Sequence, residues 1–170
     1  LGDPRHGIIG LDLGSANLSL AAVFDGQLSL SVRTDLGMAY CGEYVTQERG
    51  IESITRWLPE SVSEYEILGY FLNKQAHPLT VPEEAQEQHI DYAVAREAIG
   101  LALETARPGW HPATLGDSAE ELLPPCDTIV VGGSLLAHAP RPGQAALAVL
   151  DGVQPVGVCT LVFDAHFLAP

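Results

Sequence analysis

The sequence predicts an α/β domain on a mixed sheet, in the order three strands, helices, strand, helix, strand, with helices on both faces. Three observations carry this. Residues 8–33 read as three short apolar or alternating runs separated by polar turns. Residues 42–107 are dominated by helical spacing. Two further apolar runs, at 128–131 and 157–164, flank a helical stretch at 142–153. An antiparallel meander followed by strands joined through helices makes a mixed sheet covered by helices.

The first strand, Ile8 to Leu13, is a continuous apolar run of the kind found at the centre of a sheet. The second, Leu18 to Phe24, is mostly apolar. The third, Gln27 to Arg33, alternates, with Leu28, Leu30 and Val32 on one face and Ser29, Ser31 and Arg33 on the other. Asp25-Gly26 between them is a two-residue hairpin signal. A helix is expected from Gly42 to Leu58, stopped by Pro59. A capping box at Ser61 to Glu64 starts a second helix, running to about Lys74. A third begins at Thr80-Val81-Pro82-Glu83, where proline suits the first turn and the acids Glu83 and Glu84 complement the helix dipole. Its apolar stripe is Ile90, Val94, Ala98 and Leu101, and Arg107-Pro108-Gly109 stop it. Residues 108–125 read as loop. Thr128 to Val131 is a central strand, Gly132-Gly133 a tight turn, 142–153 a helix and 157–164 the last strand. This is the element order of a ribonuclease H-like domain.

The 170 residues fit one domain over 1–170, with 46% hydrophobic and 18% charged residues. Lys and Arg number 8 against 22 Asp and Glu, a net charge of −14. Nucleic-acid binding needs a basic stripe, and Arg33, Arg49, Arg56, Arg96, Arg107 and Arg141 are scattered singly along the chain. No nucleic-acid partner is expected. There is no 18-residue apolar run and no signal peptide, so no membrane partner is expected either. The opening residues LGDPRHG read as an excised or processed chain. Cys41, Cys126 and Cys159 are odd in number and form no CxxC pair, which fits buried thiols in a cytoplasmic protein. His77, His89, His111, His138 and His166 are too dispersed for a helical zinc pair. Asp164-Ala165-His166 has no Gly-x-Ser-x-Gly nucleophile to serve.

Chemistry is expected at two glycine turns, Asp12-Leu13-Gly14-Ser15 and Gly132-Gly133-Ser134, each following an apolar strand. Ligands of open α/β sheets lie beyond strand ends, and glycine lets backbone N–H groups turn toward an anion. Asp12 is the candidate carboxylate for a magnesium-bound water. Gly14, Ser15, Ala16 and Asn17 form the candidate phosphate turn, with Ser15, Asn17 and Ser19 as added donors. Gly132 and Gly133 leave the backbone bare for a base or ribose.

The stretch DLGSANLSLAAVFDGQLSLSVRTDLGMAYCGEYV resembles the second phosphate segment of the actin, sugar kinase and heat-shock ATPase superfamily, and TIVVGGSLLA resembles its adenosine segment. RTDLGM, FLNKQAHPLTVPE, AREAIG, VVGGSLLAHAPRPGQAALAVLDGVQPVGV and LVFDAHFLAP together resemble the glutamate mutase MutL-type family. That resemblance implies an ATPase-fold protein associated with a cobalamin-dependent mutase, with ATP and magnesium as cofactors. It implies that Asp12 serves the metal, that Gly14 to Asn17 and Ser19 serve phosphate, and that Gly132, Gly133 and Ser134 serve adenosine. Glu43, in the first turn of a helix, is implied at the ribose, and as a bare first-turn acid it equally suits the helix dipole. The family's turn reads Asp-x-Gly-Gly-Ala-Thr-Thr-Asp, whereas this chain has Ser15, Asn17, Leu18 and Ser19 at the second glycine, the two hydroxyls and the second acid. One phosphate turn supplies half of a two-domain cleft. The chain is therefore expected to bind nucleotide without hydrolysing it alone, beside a companion ATPase domain, a mutase or a second copy. The competing expectation is a non-catalytic protein-interaction module on the same fold.

Overall fold

The computed structural model describes residues 7–24, 26–107, 123 and 125–165. A five-stranded sheet is built from β1 (Gly7–Leu13), β2 (Leu18–Phe24), β3 (Gln27–Arg33), β4 (Cys126–Gly132) and β5 (Thr160–Phe163), in the order β3-β2-β1-β4-β5. The first three strands pair antiparallel, and β4 and β5 add in parallel on the other side of β1. The α/β class and the mixed sheet are those the sequence predicts. The β2–β3 pairing runs to Phe24 opposite Gln27, and Gly26 there has φ +74°, while Asp25 and most of the loop reading at 108–125 lie outside the described residues.

The helices differ from expectation in their ends. The stretch expected as one helix over 42–58 is two, α1 (Cys41–Arg49) and α2 (Glu52–Thr55). Gly50 separates them with φ +78°, its N–H closing on the Thr46 carbonyl, a helix stop that a side chain would strain. The capping box of α3 (Glu64–Ala76) is Ser63 with Glu66, two residues later than expected. The helix expected from Thr80 is α4 (Ala85–Ala106), entered through Glu84, with Glu87 reaching back to the Glu83 and Glu84 N–H groups. Pro82 precedes the helix instead of opening it. A short turn of helix, α5 (Ser134–Ala137), follows Gly133. The helix over 142–153 is α6 (Pro142–Val153), as expected.

The core lies on one side of the sheet. Ile9, Leu11 and Leu13 of β1, Leu18 and Leu20 of β2, and Ile129 and Val131 of β4 are buried against α4, on which α1 and α6 pack in turn. Ile8, Val23 and Val162 are exposed on the second face, with Leu28 at 71% and Leu30 at 69%. The register decides this. Leu18, Leu20 and Ala22 face the core, and opposite them on β3 stand Arg33, Ser31 and Ser29. Strand pairing thus turns the serine face of β3 toward the helices and its leucine face away from them.

Candidate functional site

Both glycine turns sit at the same end of the sheet. In the β1–β4 register Asp12 stands beside Gly132, and in the β1–β2 register it stands beside Ser19. A Cβ built on Gly132 would be 3.0 Å from Asp12 Oδ1, so the carboxylate lies over that glycine. Asp12 is exposed, on the face of the sheet that carries no described helix.

The turn between β1 and β2 is held from outside. The Gly14 N–H donates to the Asn17 carbonyl (2.9 Å), while the Met38 and Ala39 N–H groups donate to the Gly14 and Ser15 carbonyls (3.0 and 2.9 Å). Gly37 allows this contact, since a Cβ there would lie 2.2 Å from the Ala16 carbonyl carbon. The Ser15 hydroxyl donates to the Pro78 carbonyl (3.1 Å), and the Ser19 hydroxyl donates to Asn17 Oδ1 (3.4 Å). These two serines are therefore engaged within the protein. The N–H groups of Ser15 and Ala16 find no acceptor among the described residues, and both residues are exposed. An exposed turn with its carbonyls tied back and its N–H groups open is suited to an anion.

The second turn is packed differently from the first. Gly133 is buried with φ +96°, and a Cβ there would fall 2.1 Å from the Leu13 carbonyl oxygen. Its missing side chain makes room for β1. Ser134, at the start of α5, is exposed. With Gly14, Ser15, Met38 and His138 it borders a pocket of about 390 Å³ that residues 78–82 also line, a volume in the range of small-molecule sites. Asp12 and Glu43 do not line it. Glu43 is exposed on α1 and accepts from Gln75 Nε2 (3.0 Å). The structure thus brings Asp12, Ser19 and Gly132 together on one face, and Gly14, Ser15 and Ser134 round a pocket on the other. The 14–17 turn joins them, and Glu43 stands apart.

The pocket also exposes a feature not anticipated from sequence. Lys74 of α3 and Asp91 of α4 line it, with Lys74 Nζ 2.7 and 2.8 Å from the two Asp91 oxygens. Burial pushes the Asp91 carboxyl up, and the adjacent Lys74 ammonium works against it. The Lys74 charge also faces the Tyr70 ring at 5.5 Å. A signal was present: Lys74 continues the buried Ile67, Tyr70, Phe71 stripe of α3, and a lysine at an apolar position needs a partner. No group of three or more His, Cys, Asp or Glu side chains able to hold a metal occurs among the described residues. Among those residues no helix is long and apolar enough to cross a membrane.

No curated protein matches this chain. Among solved structures, ParM of Bacillus thuringiensis in its apo form is similar over 91% of this chain and 43% of its own, at 12% identity and a TM-score of 0.25. The chain thus spans less than half the length of that protein. The model of the MutL protein family matches residues 6–169, nearly the whole sequence, and the chain belongs to that family.

Proposed function

We propose that this chain is the nucleotide-binding half of a MutL-type ATPase-fold protein, acting beside a companion ATPase domain or a cobalamin-dependent mutase in the cytoplasm. The supporting observation is the meeting of both glycine turns at one sheet end, with Asp12 over Gly132 and the open Ser15 and Ala16 N–H groups next to them. In this reading those N–H groups face phosphate, and Ser134 and its pocket take the adenosine end. Magnesium is bound mainly by waters and substrate phosphates, with one or two carboxylates. A single exposed Asp12 fits that demand, holding a metal-bound water once nucleotide is present. Phosphoryl transfer needs charge stabilisation from several sides, and the described residues offer one phosphate turn. We propose that the chain alone does not hydrolyse ATP.

Calorimetric titration with ATP and magnesium tests this. Saturable, magnesium-dependent binding is expected, weakened about tenfold by Asp12→Ala through loss of one charge-assisted contact. Asp12 is the right position to vary, because Gly133 is needed for packing. Absence of binding at millimolar nucleotide defeats the proposal.

The second reading is a protein-interaction module. The uncovered sheet face, with Leu28, Leu30 and Val32 exposed, favours it, since contiguous apolar surface marks contact sites. Failure of nucleotide binding in a folded chain would leave this reading standing.

A further inference from the structure

The arginines that are scattered in sequence converge in space. Arg49 at the end of α1, Arg56 just after α2, Arg96 in α4 and Arg107 just beyond α4 all line one cavity of about 170 Å³. These are four of the eight Lys and Arg residues of a chain with net charge −14. Three carboxylates line the same cavity, Glu97, Glu104 and Asp151. Among the described lining residues, guanidinium groups thus outnumber carboxylates four to three, in a chain that is acidic as a whole.

The centre of the cluster is Glu97, 2% exposed. Its carboxylate accepts from Arg49 Nη1 (3.0 Å), Arg56 Nη2 (2.6 Å) and Trp57 Nε1 (2.9 Å). Two guanidinium groups lie over the Trp57 ring, Arg56 at 5.0 Å and Arg96 at 4.7 Å from its centre. Arg96 donates through Nε to Asp151 (2.8 Å) and through Nη1 to the Tyr92 carbonyl (3.0 Å). Gly100 leaves space for Arg49, whose Nη2 would be 3.2 Å from a Cβ there. This network fastens α1, α2, α4 and α6 together, and it fixes the guanidinium groups in place.

It does not use up their donors. A guanidinium carries five N–H groups in a planar fork. Arg56 spends one nitrogen on Glu97, and its side chain is 57% exposed. Arg96 retains Nη2. The polar cavity in front of them admits a small group with oxygen acceptors, and such forks match phosphate and carboxylate.

We propose that this cavity is a binding site for a small oxyanion of phosphate or carboxylate class, held by the remaining N–H groups of Arg56 and Arg96 beside Trp57. Among the described residues it shares no lining residue with the strand-end pocket, and it stands independently of the nucleotide reading.

Trp57 reports on the site directly. In a Trp110→Phe background its fluorescence is titrated with inorganic phosphate, and separately with succinate, at constant ionic strength set by sodium chloride. A saturable change with either anion is expected, and which anion gives it identifies the class. Arg56→Gln should weaken it at least tenfold, Arg56→Lys should weaken it less, and Asp12→Ala should leave it unchanged. Arg56 is the most exposed of the hydrogen-bonded arginines, so these variants should fold, as a urea transition would verify. The proposal fails if neither anion differs from the chloride control, or if the response survives Arg56→Gln in a folded protein.

Discussion

The Lys74 ammonium sits 2.7 and 2.8 Å from the two carboxylate oxygens of Asp91, joining α3 to α4 with both side chains buried. Breaking a buried pair from one side leaves the other charge uncompensated. Lys74→Met or Asp91→Asn should each cost about 3–5 kcal/mol of stability. The double variant Lys74→Met with Asp91→Leu should recover most of that loss, because two apolar side chains carry no desolvation penalty. Urea unfolding of the three variants decides the matter, and full additivity of the single losses would contradict it.

Gly133 combines φ +96° with a carbonyl oxygen where its Cβ would be. Gly133→Ala should lower stability by upward of about 3 kcal/mol, from backbone strain and forced displacement of β1. Gly143, with open space and no positive φ, should accept alanine and gain a few tenths of a kcal/mol or more from helix propensity (~0.5–1 kcal/mol). Thermal melts of both variants compare a glycine required by packing with one that is not.

Arg33 Nε and Nη2 donate to the two Asp35 oxygens at 2.8 and 2.5 Å, and the same guanidinium reaches Tyr44 and Thr105. These hydrogen bonds hold the Asp35 carboxyl below its ordinary value. Asp35 therefore binds a proton less readily folded than unfolded. Its contribution to stability is complete above the unfolded carboxylate range, near pH 4, and is lost as pH falls through the depressed folded value. The pair is partly solvated, so the effect is screened. An NMR titration should find the Asp35 carboxyl below its unfolded value, and Arg33→Gln should move it upward. No movement would contradict the assignment.

The thiols should separate by burial. Burial pushes the Cys41 thiol up to about 12 and, as the leading cause, the Cys126 thiol up to about 11. The thiolate is the reactive form. Cys159, which is less buried, should be alkylated first in the native protein at pH 8, with Cys41 and Cys126 reacting only after denaturation. Mass mapping of the labelled peptides would show the order, and early modification of Cys41 would refute it.

Much of the architecture was legible because its causes are local. Alternation and turn residues gave β2 and β3 their bounds, and Pro142 with the apolar spacing after it gave α6. Helix starts were less legible where two local signals competed. Ser61-Val62-Ser63-Glu64 and Ser63-Glu64-Tyr65-Glu66 both fit a capping box, and the second is the one formed. Packing of Ile67, Tyr70 and Phe71 on the core is the constraint that a local pattern does not contain. The glycine turns were found from sequence, yet their division between two faces of the sheet was not, because it depends on the register of β1 with β4.

By itself the sequence determined the class of fold, the family and the positions of both glycine turns, since period, turn chemistry and motif are written along the chain. Tertiary structure decided which face of β3 meets the core, that Gly133 belongs to packing, and that Lys74 finds Asp91. It also gathered Arg49, Arg56, Arg96 and Arg107 around Glu97 and Trp57. Those residues come from separate segments, and only the docking of α1, α2 and α4 makes them neighbours. The physical reason is that charge and burial act through distance in space, and sequence separation does not fix that distance.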